Sequence, residues 1–247
     1  MTSDFLFIGH RGTRHNFDEN TIEAFQIALE SGANYIEFDI RQLKDGNIVV
    51  FHDSSLERTT NDSGLIKDYD SSKLRNLLTK KRGCKIPFLT QVLERFKSKI
   101  GFMIELKEAE LWENVVNMIA KEDLLHQIIF SGKDLSLLKI IKNKVPQAKF
   151  CYNITKGISI SILDFIDSKK LDEFDLIPEM ISLRSDLISK SFIEKCHKYK
   201  ILALSWDFIN YKDPVEKIKY LINLGIDGIL FDDYHNIDVI KKYLYNL

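Results

Sequence analysis

The chain has 247 residues, 45% of them hydrophobic, enough to bury a sizeable core in one large α/β domain or two small ones. Its 35 lysines and arginines balance 36 aspartates and glutamates, and the net charge of −1 argues against a nucleic-acid surface and against an acidic tail. Cys84, Cys151 and Cys196 lie far apart with no CxxC pair, which argues against a disulfide framework or a zinc–thiolate site and fits a reducing compartment.

The opening residues, MTSDFLFIGHRG, contain no basic segment followed by a long apolar one, so no signal peptide is expected. No apolar run is long enough to cross a bilayer, and a soluble cytoplasmic protein is the expectation. The run Phe5–Gly9 predicts a first strand, which ends on His10 and Arg11 between two glycines. A helix follows, with Asn20 as its cap, Glu23 reaching back, an apolar face of Ile22, Phe25, Ala28 and Leu29, and Gly32 as its stop. Asn34–Ile40 predicts the second strand, and the turn Lys44–Gly46 joins it to another extended piece, Asn47–Asp53. Residues 54–99 are polar and irregular, with helical patterns around Leu74–Leu78 and Thr90–Phe96.

The alternation then becomes regular. Strand Phe102–Leu106 precedes helix Trp112–Lys121, and strand Gln127–Ser131 precedes helix Leu135–Asn143, which ends near Pro146. Strand Lys149–Asn153 precedes a helix near Ile160–Asp167. The next strand falls within Asp175–Leu183, its boundary blurred by Pro178, ahead of helix Leu187–Tyr199. Strand Ile201–Trp206, helix Val215–Leu224 and strand Gly228–Asp232 complete the series. With Asn47–Asp53 set aside, about eight β-then-α units match a closed (β/α)8 TIM barrel, with a doubly wound sheet of fewer strands as the alternative. No linker, repeat or low-complexity tract divides the chain. Residues 1–247 read as one domain, with an insertion at about 54–99.

In such a barrel, chemistry gathers where strands end. The first strand ends on His10 and Arg11, and the second carries Glu37 and Asp39. The Asn47 run carries His52 and Asp53, and the strand through Ile104 carries Glu105 and Lys107. Residues two apart on a strand share a face, so Glu37 points with Asp39 and Glu105 with Lys107, while Ile36, Phe38 and Ile40 face the helices. Three converging carboxylates repel by about 4 kcal/mol per pair at ~4 Å and an effective dielectric near 20. A hard divalent cation, Mg²⁺ or Ca²⁺, would offset that repulsion. So would Lys107 and Arg11 alone, as a structural ion-pair network. His126, His197 and His235 read as structural, and His15 as a loop residue near the barrel mouth.

These residues resemble the glycerophosphodiester phosphodiesterase family. The resemblance is carried by GHRG at 9–12, ENTIEAF at 19–25, GANYIEFDI at 32–40, KDGNIVVFHD at 44–53, LERTT at 56–60, IP at 86–87 and IELK at 104–107. Weaker matches are SW at 205–206 and GIDGILFDD at 225–233. The resemblance implies a TIM barrel with an insertion after the early strands, and one divalent cation, Mg²⁺ or Ca²⁺, held by Glu37, Asp39 and Glu105. It implies His10 and His52 as the acid/base pair, Arg11 and Lys107 on the substrate phosphate, and a small-molecule glycerophosphodiester as substrate. The family's usual proposal has the neighbouring glycerol hydroxyl attack first, giving a cyclic phosphate that water then opens. Trp206 would either wall the pocket or pack in the core. Departures from the family pattern at Asp18, Leu43, Asp207–Ile209 and Phe231–Asn236 bear on loop shape and head group. A lysophospholipase D-like or cyclising reaction on a lipid, or a barrel that binds diesters without cleaving them, are the alternative readings.

Overall fold

In the computed structural model, which describes residues 5–156, 160–167 and 176–247, short apolar runs become nine strands among the described residues, all but one of them parallel. They are β1 (Leu6–Gly9), β2 (Tyr35–Gln42), the short β3 (Ile48–Val50), β4 (Gly101–Leu106), β5 (Ile128–Gly132), β6 (Lys149–Asn153), β7 (Met180–Arg184), β8 (Leu202–Trp206) and β9 (Gly228–Phe231). Each strand except β3 pairs in parallel with its neighbours, and β1 bonds to both β9 and β2, so eight strands close into a TIM barrel. β3 stands outside the ring, antiparallel to the end of β2, with Val50 opposite Ile40.

Alternation along each strand divides the core in two. Ile8, Met103, Ile129, Cys151, Met180, Leu204 and Leu230 form one buried cluster, a residue from each of seven strands, and fill the barrel below its mouth. Their neighbours Phe7, Phe38, Phe102, Phe130 and Phe150 belong to the outer cluster, packed on the helices. Ile36, Phe38 and Ile40 lie there too, which leaves Glu37 and Asp39 on the inner face.

The helices are α1 (Ile22–Glu30), α2 (Ser71–Leu74), α3 (Leu89–Phe96), α4 (Trp112–Lys121), α5 (Leu135–Lys144), α6 (Ile162–Asp167), α7 (Lys190–Lys198), α8 (Pro214–Leu224) and α9 (Asn236–Tyr245). The cap of α1 is Thr21, not Asn20. Thr21 has the extended backbone a cap requires, and its hydroxyl accepts from the Ala24 N–H at 3.2 Å. Asn20, at φ 60°, is turned away and binds Asp39. The strand expected within Asp175–Leu183 begins at Met180, beyond Pro178, and Asp175 lies outside the described residues. The last helix, α9, follows the last strand read from the sequence; Ile237 and Ile240 bury it against the barrel.

In the 54–99 region, Leu56, Ile66, Leu74, Leu77 and Ile86 pack with Leu43, Val49 and Phe51 of the β2–β3 hairpin in a separate small cluster. α3 instead packs with the outer cluster of the barrel, through Leu89, Val92, Leu93 and Phe96. No helix among the described residues is long and apolar enough to cross a membrane.

Candidate active site

Parallel register places Asp39 of β2 directly beside Glu105 of β4, with Glu37 one inward-facing position below Asp39. Carboxylate oxygens of Glu37, Asp39 and Glu105 lie within 4.8 Å of one another, and these three could hold a metal ion. Their charges are unevenly compensated. Burial opposes ionisation of Asp39, but Lys107 and Arg11 hold its carboxyl well below the usual range. The Lys107 ammonium lies 2.7 Å from Asp39 and 2.5 Å from Glu105, and the Asn20 amide donates to Asp39 at 2.9 Å. Glu37 receives the Arg11 backbone N–H at 2.8 Å, and burial together with the charges of Asp39 and Glu105 pushes its carboxyl well up. Lys107 and Arg11 thus form the ion-pair network on Asp39 and still leave Glu37 under-compensated. An all-oxygen set of three carboxylates suits a hard divalent cation.

The turn after β1 presents His10 and Arg11. Gly12 makes it possible: its φ is 84°, and a Cβ there would sit 2.7 Å from the Ala24 carbonyl carbon of α1. Because β1 closes against β9, His10 meets Asp232 just past the end of β9, and its Nδ1 donates to Asp232 Oδ1 at 2.9 Å. Asp232 also receives the Phe208 N–H at 2.7 Å and the Arg14 guanidinium. Burial, reinforced by Arg14, lowers the His10 imidazole against the pull of Asp232. Trp206 stands edge-on to His10, with ring centroids 5.9 Å apart, and its buried indole N–H has no hydrogen-bond partner among the described residues.

His52 comes from outside the ring. It follows β3 and is drawn over the mouth by two backbone bonds: Phe51 N–H to the Asp39 carbonyl, and His52 carbonyl from Arg41 Nε, each 2.9 Å. Its Nδ1 donates to Asp53 at 2.6 Å. Burial lowers this imidazole too, with Asp39 pulling the other way. Arg58 joins the two halves of the site. Its Nε donates to Asp53 at 2.5 Å, and its terminal nitrogens donate to Glu19 at 2.6 and 3.1 Å, while Glu19 also receives Arg11 Nη1 at 2.7 Å.

A cavity of about 230 Å³ lies at the mouth, and His10, Arg11, Glu37, His52, Glu105, Lys107 and Trp206 all line it; Asp39 is buried behind its lining. His15, His126, His197 and His235 lie elsewhere, beside Asp233, Gln127, Asp227 and Asp233 respectively. Asp232, Glu19, Arg58 and Arg14 were not singled out from the sequence. The order of the barrel carries the signal for Asp232, because the end of a last strand must lie beside the end of the first.

The buried Asp232 carboxyl, opposed by burial but held down by His10 and Arg14, lies well below its ordinary value. A depressed folded value contributes stability that is fully present above the unfolded pKa near 4 and is lost as pH falls toward the folded one. Asp232→Asn should remove that dependence. Urea midpoints between pH 3 and 7 should slope less for the variant than for the parent, and identical slopes would show that Asp232 is not so linked.

Known proteins match this chain over nearly its whole length. The model of the glycerophosphoryl diester phosphodiesterase family matches residues 10–236. A glycerophosphodiester phosphodiesterase of Caldanaerobacter subterraneus subsp. tengcongensis is 29% identical over 250 residues, covering 96% of this chain and 98% of that protein. The solved glycerophosphodiester phosphodiesterase of Thermotoga maritima has a TM-score of 0.76 at 29% identity, over 97% of this chain and 98% of that one. An Oleispira antarctica phosphodiesterase, solved with its product sn-glycerol-3-phosphate, shares the fold at a TM-score of 0.77 and 22% identity, over 98% of this chain and 97% of that one.

Proposed function

The chain belongs to the glycerophosphoryl diester phosphodiesterase family, and on that premise we propose that it is a metal-dependent hydrolase releasing sn-glycerol 3-phosphate and an alcohol from a glycerophosphodiester. One observation carries this reading: His10 and His52 line a single cavity with Glu37 and Glu105, and Asp39 completes the carboxylate cluster. The product bound by the Oleispira antarctica relative and the names of the near full-length relatives support the same substrate class.

In this reading Glu37, Asp39 and Glu105 would hold one Mg²⁺ or Ca²⁺. When bound, that ion supplies Lewis-acid stabilisation of charge on the phosphoryl oxygens. Arg11 and Lys107 add fixed positive charge beside the phosphate, where it opposes the charge that grows in the transition state. His10 and His52 have Nδ1 tied to Asp232 and Asp53, which fixes their tautomers and leaves each Nε2 to exchange protons. One imidazole takes the proton of the attacking hydroxyl, the other gives one to the departing alcohol, and the roles reverse when water opens the cyclic phosphate. The mouth is lined by charged and polar side chains, which favours a polar diester over a lipid. The three cysteines are unpaired and buried, which supports a cytoplasmic setting. Residues 1–247 act as one domain, whose insertion at about 54–99 contributes Arg58.

Arg58 holds Glu19, a carboxylate partner of Arg11, and Asp53, a carboxylate partner of His52. Arg58→Ala should therefore lower kcat by about 10-fold, in line with the loss of charge-assisted bonds at partly exposed groups, while Arg58→Lys restores part of it. Steady-state rates of both variants check this, and wild-type rates for Arg58→Ala would remove the positioning role.

The reaction is tested by phosphorus NMR of a panel of glycerophosphodiesters, with and without chelator. Release of glycerol 3-phosphate that stops in chelator is the expected result. Binding without cleavage across Mg²⁺, Ca²⁺ and Mn²⁺ would end the hydrolase reading.

A further inference from the structure

The reaction as proposed uses the wall of the cavity built by β1, β2 and β4 and leaves the facing wall unexplained. Ser131 and Lys133 from β5 and its end, Asn153 of β6, Thr155 just beyond it, and Ser182 of β7 make up that wall. Register sets Ser131 beside Glu105, and Lys133 follows β5 as Lys107 follows β4. The two lysines differ in their partners. Lys107 is clamped between Asp39 and Glu105. Lys133 is half-buried on the cavity and has neither ion pair nor hydrogen bond among the described residues. Burying an ammonium without a partner costs free energy, and an anion in the cavity would offset that cost.

The neutral groups that line the cavity with Lys133 support the same reading. Asn153 uses its Oδ1 to accept from the Thr155 N–H at 3.4 Å, and its amide NH₂ has no partner among the described residues. The Thr155 hydroxyl accepts from the Arg184 N–H at 2.9 Å, which leaves its own proton to give. The lining carboxylates, Glu37 and Glu105, belong to β2 and β4 and to the cluster assigned to the cation. A cationic head group on this side would meet a lysine and, as its one aromatic ring, Trp206, where a quaternary ammonium requires a cage of rings or an acid.

We propose that this wall selects glycerophosphodiesters whose alcohol carries a second anionic group, a carboxylate or a phosphate, with Lys133 as the specificity-determining residue. The inference rests on the hydrolase reading above for its substrate class.

Equilibrium binding and turnover, measured side by side, test it on wild type, Lys133→Met and Lys133→Arg. The probes are glycerophosphoglycolate, glycerophosphoethylene glycol phosphate, neutral glycerophosphopropanol and glycerophosphocholine. Wild type should bind an anionic probe about 10-fold more tightly than glycerophosphopropanol, as one charge-assisted bond predicts. Whichever anionic probe gains more identifies the group as carboxylate or phosphate. Lys133→Met should bring that ratio to within about 2-fold and leave the neutral and choline probes unchanged, which also reports an intact fold, and Lys133→Arg should restore it. An equal loss on all probes would assign Lys133 to the diester phosphate, and no loss on any would give it no substrate role; either result overturns the proposal. Discrimination in binding without cleavage keeps this inference and overturns the hydrolase reading. Cleavage without discrimination dependent on Lys133 does the reverse.

Discussion

Glu105→Gln should lose at least about 10³-fold in turnover, together with cation binding, while the barrel remains folded. The substitution preserves shape and one acceptor oxygen, so the Lys107 contact now made at 2.5 Å keeps a partner. What it removes is charge. Glu37, Asp39 and Glu105 together face Arg11 and Lys107, a formal excess of one negative charge, and the variant has none. A hard divalent ion discriminates among oxygen sites by ligand charge, so a site of two carboxylates and an amide beside two fixed cations holds it poorly. Stability should move differently. Without cation, three buried carboxylates within 4.8 Å repel, and replacing one should leave the melting temperature equal or higher. With cation, wild type should gain about 2.7 kcal/mol at a concentration 100-fold above Kd, by mass action, and the variant nothing. Titration calorimetry with Mg²⁺ and Ca²⁺, melting curves with and without chelator, and steady-state rates read all three effects. Full wild-type activity in chelator, or undiminished cation affinity in the variant, would end the metal role.

The residues that carry this prediction are visible in the sequence because strand alternation has a period of two. Glu37 and Asp39 must share a face once Ile36, Phe38 and Ile40 are assigned to the core, and the same rule joins Glu105 to Lys107. Contacts between distant segments are not visible in that way. Asp232 reaches His10 because β9 closes on β1, and Glu19 reaches Arg58 because a loop of the 54–99 region folds back over the mouth. The N-terminus of α1 shows a subtler limit. Asn20 and Thr21 are adjacent, and both are competent caps; the choice falls to Thr21 because Asn20 serves Asp39. α9 went unread because Ile237 and Ile240 are few and follow the last strand without a clear cap. The region after β3 has little periodicity to read: its pairings are isolated bridges such as Thr60 with Thr79 and Leu78 with Lys85.

Replacing either imidazole should be nearly as damaging as losing the cation site, for a different reason. His10→Ala and His52→Ala should each lower kcat by at least about 10²-fold, the usual share of a positioned acid or base. Burial lowers both imidazoles from their ordinary value, which favours the unprotonated form that a base needs, while Asp232 and Asp53 pull each the other way toward the protonated form that an acid needs. The acid limb of kcat/KM should therefore fall below pH 6.5, and the limb belonging to the replaced residue should vanish from the profile of its variant. The double variant should lose far less than the product of the single losses, because a proton relay broken at one end is already broken. The two single variants should differ in stability. His10 is buried, and its loss leaves Asp232 with Arg14 and the Phe208 N–H, whereas His52 is part-exposed and Asp53 keeps Arg58. His10→Ala should thus lower the melting temperature more than His52→Ala. Rates for either variant within about 10-fold of wild type, with the acid limb unchanged, would show that its imidazole moves no proton in the reaction, since positioning alone does not set the pH profile.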